Sequence, residues 1–315
     1  MKKWQFIIVI LGIIFLVSFL VSKTIEGTES LKPDRIAVIP IYGPITVDSS
    51  SDIFFDQSGS PSTVVIDAID RADKDSSIKG IILEINSPGG TVVASREISN
   101  RIKKVNKPIV SWIREVGASG AYWIASSTDY IIADPMSITG SIGVIGSYLE
   151  FSELFEKYGI TYERLVGGDL KDTGSPYKQL TPKEREILQL KINKIHESFV
   201  KEVSNNRKLD YDKVKDLGNG MFYLGEEALD LGLIDELGSK DEALNKIKSL
   251  ANIKEAEPVS FQRKVGITDL LARLSAYNSF YIGRGIGFSL FSGFKDESKY
   301  SNILKQVVWY VILLQ

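Results

Sequence analysis

The chain has 315 residues, 43% of them hydrophobic, and its formal net charge at pH 7 is −2. This length suffices for one large or two modest domains. The near-neutral charge gives no reason to expect nucleic acid as a partner, because surfaces that bind nucleic acids are strongly basic. The sequence contains no cysteine, which excludes disulfides, thiolate metal sites and a cysteine nucleophile. We expect neither a metal ion nor a cofactor.

The N-terminal segment predicts a membrane anchor. Residues 4–22 contain no charged side chain and are mostly Ile, Leu, Val and Phe, which is about the length of a helix that crosses a bilayer. A cleaved signal peptide is the alternative, but its apolar part is usually shorter. Lys2 and Lys3 precede the segment, so the positive-inside rule predicts a cytoplasmic N-terminus. We expect residues 1–30 to form a single-pass anchor and linker in the cell membrane, with the following domain extracytoplasmic.

The next part of the chain alternates between two kinds of apolar pattern. Apolar runs predict strands over residues 36–42, 78–86, 108–113 and 130–134. Helical patterns between them predict helices over residues 62–72, 91–105 and 121–126, the first capped by Ser62 or Thr63. This alternation is typical of βαβ crossovers and predicts an α/β fold with a parallel sheet.

Later elements complete the predicted domain. A helix over 151–158 and a strand beginning at Thr161 come first, followed by a long helix over 182–206 with Thr181 as its cap and Pro182 as its first residue. Shorter helices follow, over residues 211–217, 225–231 and 240–250. The domain is predicted to span residues 31–262. Residues 263–315 are assigned to an apolar and aromatic C-terminal tail.

Two glycine-containing turns follow predicted strands. Ser119 lies between Gly117 and Gly120, where a strand leads into a helix, and its small neighbours allow a peptide to approach. Free N–H groups at the start of that helix are available to a developing negative charge. A structural turn without a chemical role is the alternative, since such turns are common. The second turn, Ser-Pro-Gly-Gly at residues 87–90, also lies where α/β sheets bind ligands.

A serine nucleophile needs a base that removes its proton. The single histidine, His196, lies at the edge of the buried apolar stripe that Ile187, Leu190, Ile195 and Phe199 form on the predicted helix over 182–206, where a structural or solvated role is favoured. Lysine is the natural alternative, because burial disfavours its charged form and lowers its pKa. Lys171 lies in a loop of glycines and small polar residues. It is either the base or a solvated surface lysine, and a converging Asp172 would keep it charged.

Four separated motifs resemble, in their sequence and order, those of a known protein family. They are Asn-Ser-Pro-Gly-Gly at 86–90, Gly-Ala-Ser-Gly-Ala-Tyr at 117–122, Thr-Gly-Ser-Ile-Gly at 139–143 and Leu-Lys-Asp-Thr-Gly-Ser-Pro at 170–176. In this order they resemble the signal peptide peptidase A family of Ser–Lys proteases, over residues 36–250 or so. The resemblance implies a Clp-protease/crotonase-like spiral of βαβ units, preceded by one transmembrane helix.

The resemblance also implies roles for individual residues. Ser119 would be the nucleophile and Lys171 the general base of a serine endopeptidase. The backbone N–H groups of Gly120 and Gly90 would form the oxyanion hole, with Gly89 as the alternative to Gly90, and Ser141 would orient the lysine. The implied substrates are remnant signal peptides and other apolar, extended peptides. The implied assembly is a homo-oligomeric ring, with the serine and lysine in one subunit or in adjacent ones.

Two other functions fit part of the pattern. A crotonase-like acyl-CoA enzyme uses paired backbone amides in the same way, but it needs an acidic base beside them. A non-catalytic membrane scaffold would keep the fold without the reaction. The presence of both Ser119 and Lys171 favours the protease.

Overall fold

The computed structural model describes residues 4, 11–19, 33–48 and 59–261. The predicted anchor over 4–22 lies partly outside these ranges, and its described stretch at 11–19 is helical. No helix in the described ranges is both long enough and apolar enough to cross a membrane. The predicted tail, 263–315, lies outside the described residues.

The described elements alternate as the sequence predicts. The strands are β1 (Arg35–Tyr42), β2 (Ile45–Thr46), β3 (Ser60–Pro61), β4 (Ile78–Ser87), β5 (Ile109–Ala118), β6 (Tyr130–Ala133), β7 (Ile138–Gly140), β8 (Phe222–Leu224), β9 (Glu236–Leu237) and β10 (Glu257–Ser260). The helices are α1 (Ser62–Lys74), α2 (Val92–Ile102), α3 (Gly120–Ser126), α4 (Ser152–Lys157), α5 (Pro182–Arg207), α6 (Tyr211–Leu217), α7 (Gly225–Leu231) and α8 (Lys240–Leu250).

The central sheet confirms the predicted α/β fold. Its strand order is β10-β1-β4-β5-β6-β9, and every neighbouring pair in this path is parallel. The prediction of a purely parallel sheet was incomplete. Strand β7 pairs in parallel with β5 but antiparallel with β8, so the sheet is mixed. Strands β2 and β3 form a separate parallel pair.

Both faces of the sheet are covered, which explains the continuous apolar runs of its strands. Alternate residues of β1 point to opposite faces. Ile39 and Ile41 pack into a core with α1, α2 and α3, whereas Ile36 and Val38 pack with Ile247 of α8 on the other face. Because β4 and β5 are parallel, their C-terminal ends lie at the same edge of the sheet, where the loops that follow them meet.

Several predicted boundaries were wrong. Strand β5 continues to Ala118, five residues beyond the predicted end, because the charged residues that end its apolar run are exposed within the strand. The strand predicted from Thr161 does not form, and residues 160–166 have no regular structure. Neither Ser62 nor Thr63 caps α1. Pro61 occupies the cap position, and Ser62 donates to Glu97 instead.

Helix α5 confirms its predicted start but not all of its predicted buried face. Thr181 Oγ1 accepts a hydrogen bond from the Glu184 N–H at 3.2 Å, and the Glu184 carboxylate accepts one from the Thr181 N–H at 2.9 Å. This reciprocal capping box stabilises the first turn. Leu190 was expected in the buried stripe but is 61% exposed, whereas Phe199 is buried. The helix therefore joins the core through its C-terminal half.

We predict a large loss of stability in Phe199→Ala. Phe199 is 1% exposed, and its ring stacks on Trp123 of α3 with a centroid separation of 4.5 Å. Truncation leaves a cavity and should lower the free energy of unfolding by about 3–5 kcal/mol, measured by urea denaturation. Leu250→Ala, at an exposed position of α8, is the control and should change it by about 0.5 kcal/mol or less. Equal losses in the two variants would contradict this account of the core.

Candidate active site

Ser119 occupies the turn between β5 and α3. Its backbone has φ 53° and ψ −123°, a conformation that is strained for a residue with a side chain. The Ser119 N–H donates to the Gly140 carbonyl at 2.8 Å, and the Ser119 carbonyl accepts from the Trp123 N–H at 2.9 Å. The predicted strand-to-helix turn is therefore present. The serine is partly exposed, although the helix that follows it is buried.

The glycine turn after β4 touches the Ser119 turn directly. Gly89 has φ +106°, which favours glycine, and a Cβ there would lie 2.8 Å from the Gly120 nitrogen and 2.9 Å from Ser119 Cβ. The Gly89 N–H donates to Ser87 Oγ at 3.1 Å. The contact leaves no room for a side chain at Gly89.

The same contact brings two other backbone amides together. A Cβ on Gly120 would lie 3.1 Å from the Gly90 nitrogen. Within the described part of the chain, the N–H groups of Gly90 and Gly120 donate to no acceptor, whereas that of Gly89 is already bonded to Ser87. Gly90 and Gly120 can therefore bind an oxygen anion together. The geometry favours Gly90 over Gly89 for this role.

Ser141 follows a strand next to the one that precedes Ser119. Ala118 pairs with Gly140 in the parallel β5–β7 register, so the two serines follow neighbouring strand ends. Ser141 also has a positive φ, of 50°. Its N–H donates to Met221 and its hydroxyl to the Gly220 carbonyl at 3.2 Å. No hydrogen bond joins it to a lysine among the described residues, so its lysine-orienting role stays a prediction.

No hydrogen bond joins Lys171 to Ser119 in the part of the chain that the structure describes. Lys171 lies in an exposed turn, where its N–H donates to the Gly168 carbonyl at 3.0 Å. Its ammonium group forms no hydrogen bond or ion pair with any residue that the structure describes. The Gly90 and Gly120 amides and Ser119 therefore lie close together in a single chain, whereas Lys171 forms no hydrogen bond with any of them.

Asp172 does not converge with Lys171. Its carboxylate accepts two hydrogen bonds from Arg164, at 2.6 and 2.9 Å, and lies 3.5 Å from the Lys178 ammonium. These partners, of which Arg164 has the largest effect, hold the pKa of Asp172 at about 2. Lys178 also donates to Glu184 at 2.6 Å and, with the Thr181 backbone, lowers the pKa of that carboxyl to about 2. The network anchors the Lys171 loop to the start of α5.

The segment that carries Lys171 has an exposed apolar surface. Ile145 is 85% exposed, Leu149 73% and Leu165 95%. Further exposed apolar residues in this segment are Tyr148, Leu154, Tyr158, Ile160, Tyr162, Leu170 and Tyr177. Contiguous apolar patches of this kind mark interaction sites on soluble domains.

His196 has a structural position. Its Nε2 lies 2.6 Å from the Gly218 carbonyl and joins α5 to the end of α6. It contacts neither Ser119 nor the glycine turns. This agrees with the interpretation of the histidine as structural.

Two family models match the chain. The model of peptidase family S49 matches residues 101–254, which include Ser119 and Lys171, and the Clp protease model matches residues 49–133, which include both glycine turns. A protein of Methanocaldococcus jannaschii that is named as a protease is 34% identical over 302 residues, which are 92% of this chain and 96% of that protein.

The chain belongs to peptidase family S49, the signal peptide peptidase A family of serine proteases.

Two further relatives and one solved structure are similar to this chain. A protein of Enterococcus faecium that is named as a signal peptide peptidase is 32% identical, over 76% of this chain and 70% of that protein. Protease 4 of Haemophilus influenzae is 34% identical over 71% of this chain, but the match spans only 36% of Protease 4. The solved structure of a mutant of the 1510-N membrane-bound stomatin-specific protease aligns with 73% of this chain and 98% of that chain, at 17% identity and a TM-score of 0.44.

Family membership decides between the alternatives left open by the sequence. It favours a serine protease over an acyl-CoA enzyme or a scaffold, and it supports the Clp-protease-like domain.

One residue beside the site, Ser95, was not predicted from the sequence. Ser95 is buried against Gly120, and its hydroxyl donates to the Thr91 carbonyl at 3.0 Å. Ser95 follows Thr91 by four residues in the predicted helix over 91–105, and this spacing could have indicated the hydrogen bond.

We predict that Gly120→Ala impairs catalysis through a steric clash. The new methyl group would collide with Ser95 Oγ and press on the Gly90 nitrogen, so the two amides would no longer converge. Loss of one oxyanion donor lowers kcat by about 100-fold to 1,000-fold. The double variant Ser95→Ala/Gly120→Ala removes the colliding oxygen and should recover part of the activity in a peptide-hydrolysis assay. Ser95→Ala alone is the control, and a double variant no better than Gly120→Ala would contradict the clash.

We also predict that Arg164→Ala releases the Asp172 carboxylate. The pKa of Asp172 is lower in the folded chain than in the unfolded chain. The pairing therefore stabilises the loop at pH values above the ordinary pKa of an aspartate, and this stabilisation is lost as pH falls towards 2. Without the guanidinium, the pKa should return towards about 3.9, followed by NMR titration of the carboxyl carbon. Arg71→Ala removes a guanidinium that pairs with Asp67 and should leave Asp172 unchanged. An unchanged Asp172 titration in Arg164→Ala would show that Arg164 is not the dominant partner.

Proposed function

We propose that this S49 protease is a membrane-bound endopeptidase that uses Ser119 and Lys171 to hydrolyse remnant signal peptides and other apolar, extended peptides. The observation that carries the proposal is the contact between the two glycine turns. In this contact the Gly90 and Gly120 amides, which donate to no acceptor among the described residues, lie beside a partly exposed serine whose backbone is held in a strained turn.

The proposed reaction follows the general course of serine proteases. Lys171 in its neutral form takes the Ser119 hydroxyl proton while the oxygen attacks the substrate carbonyl carbon. The carbonyl oxygen becomes an anion, which the Gly90 and Gly120 N–H groups bind. The peptide bond then breaks, the departing amine takes the proton from Lys171, and an acyl group stays on Ser119. Water, activated by the same lysine, hydrolyses this ester. Ser141 would orient the lysine.

We further propose that Lys171 of one copy serves Ser119 of a neighbouring copy in a homo-oligomeric ring. Three features support this arrangement. The Lys171 side chain is exposed, and it forms no ion pair with any described carboxylate. Asp172 is engaged by Arg164 and Lys178, so it does not compete for the ammonium group. The surrounding apolar side chains, such as Leu165, offer a surface that a second copy would bury.

The substrate and the location are inferred together. An extended peptide that pairs its backbone with a strand edge beside the turn at Ser87–Gly90 would bring its carbonyl group to Ser119. The apolar residues 4–22 would anchor the chain in the cell membrane with the catalytic domain extracytoplasmic. That position suits signal-peptide remnants, which lie in the same bilayer. The name of the Enterococcus faecium relative, a signal peptide peptidase, agrees with this substrate class.

A complementation experiment tests the proposal. Ser119→Ala and Lys171→Ala should each lower hydrolysis of an apolar peptide by about 1,000-fold or more, because the nucleophile or its base is missing. When the two inactive variants are assembled together, about a quarter of randomly formed sites combine the intact serine of one copy with the intact lysine of the next. Activity should then reappear. His196→Ala is the control and should stay active.

The outcomes separate the parts of the proposal. Activity that persists in Ser119→Ala would disprove Ser119 as the nucleophile. Two inactive variants that do not complement one another would place the pair within one copy instead.

A further inference from the structure

Strand β5 contains a bulge just before Ser119. Ile85 of β4 pairs with Ile113 of β5, and Ser87 pairs with Gly117. Between these two pairs β4 advances by two residues and β5 by four. Strand β5 therefore contains two extra residues within 114–116. Bulges bend a strand, increase its twist and re-aim the side chains that follow.

The bulge is also where β5 changes its neighbour. Residues 110–113 pair with β6, whereas residues 116–118 pair with β7. Strand β7 supplies the Gly140 carbonyl that holds the Ser119 N–H. The path of the chain through the bulge therefore decides which strand supports the serine and in which direction its turn leaves the sheet.

Two side chains of β4 hold the two ends of the bulge. Glu84 accepts a hydrogen bond from the Arg114 guanidinium at 3.0 Å, at the start. Asn86 Oδ1 accepts one from the Val116 N–H at 3.2 Å, at the end. Glu84 and Asn86 are two residues apart, so they lie on the same face of the strand. A bulge leaves backbone groups without partners in the ladder, and the Asn86 side chain provides one.

The Glu84 end is fixed by further partners. Its carboxylate also accepts from the Lys240 ammonium at 3.1 Å and from the Tyr42 hydroxyl. Burial alone would raise the pKa of Glu84, but the hydrogen bonds from Tyr42 and Lys240 and the charge of Arg114 lower it below its ordinary value. The carboxylate is therefore ionised at neutral pH. The Glu84 end is thus held by several side chains, and at the other end the Asn86 side chain adds a hydrogen bond to the pairing of residues 116–118 with β7.

Asn86 also connects to the second glycine turn. Its backbone carbonyl accepts a hydrogen bond from the Gly43 N–H at 3.0 Å, and the Ser-Pro-Gly-Gly turn begins at the next residue. We infer that Asn86 is a positioning residue, whose side-chain oxygen ties the strand that carries Ser119 to the turn that carries the Gly90 amide. This inference rests on the proposed role of Ser119 as the nucleophile.

The test compares a substitution that removes the hydrogen-bond acceptor with one that keeps it. Asn86→Leu removes the acceptor and keeps the branching and the number of side-chain heavy atoms, whereas Asn86→Asp keeps an oxygen that can accept from Val116. We expect Asn86→Leu to lower kcat by about tenfold to 100-fold with KM within about twofold, because misplacement of the reacting groups affects the transition state more than binding. Asn86→Asp should keep most of the kcat. Asn100→Leu, the same change at an exposed position of α2, is the control and should behave as wild type.

Thermal unfolding and circular dichroism accompany the kinetics, so that only folded variants are compared. If Asn86→Leu does not fold, Asn86→Ala removes the acceptor without adding apolar bulk and replaces it in the comparison. The inference is overturned if the acceptor-free variant keeps the wild-type kcat, or if Asn86→Asp is impaired equally. Ser119→Ala is assayed alongside. Full activity in that variant would refute the proposed nucleophile, whereas an inactive Ser119→Ala beside a fully active Asn86→Leu would refute the positioning role alone.

Discussion

The site depends on one close contact, in which Gly89 packs against Ser119 and Gly120 with no space for a side chain. Strands β4 and β5 are parallel neighbours, so their C-terminal ends meet, and the turns that follow must pass each other at backbone distance. Glycine makes that approach possible, and it brings the backbone of Gly120 next to the Gly90 nitrogen. The buried sheet, covered on both faces, supplies the rigidity that such a contact requires.

The strained backbone of Ser119 persists because its surroundings fix both sides of it. Strand β7 holds its N–H, and α3, which begins at the next residue, is buried along its whole length and stacks Trp123 on Phe199. Strain of this kind survives only where packing determines the conformation. Lys171 has the opposite environment, an exposed loop fixed by ion pairs to the start of α5. Ser119 thus lies in a turn that the core holds in place, whereas Lys171 lies on the surface.

The sequence predicted what depends on local pattern. Continuous apolar runs located β1, β4 and β6, and the glycine turns located the edge where the site lies. The bulge escaped prediction because Arg114 and Glu115 interrupt the apolar run, and because Arg114 bonds to Tyr42, which lies 72 residues earlier in the sequence. Strands β7 to β10 have two to four residues each, too few to show a periodic pattern of apolar residues. Leu190 was placed in the core by its spacing, but the tertiary structure leaves that half of α5 uncovered.

The proposed sharing of Ser119 and Lys171 between copies has a consequence for control of the protease. A chain on its own holds Ser119 beside the Gly90 and Gly120 amides, but a serine hydroxyl is a weak nucleophile until a base removes its proton. In the proposed ring, that base arrives only when the apolar surface around Lys171 is covered by a second copy. Burial at such an interface would also favour the neutral amine that the reaction needs. Assembly would then create the active site and adjust the pKa of its base in one step, and single chains would be inactive.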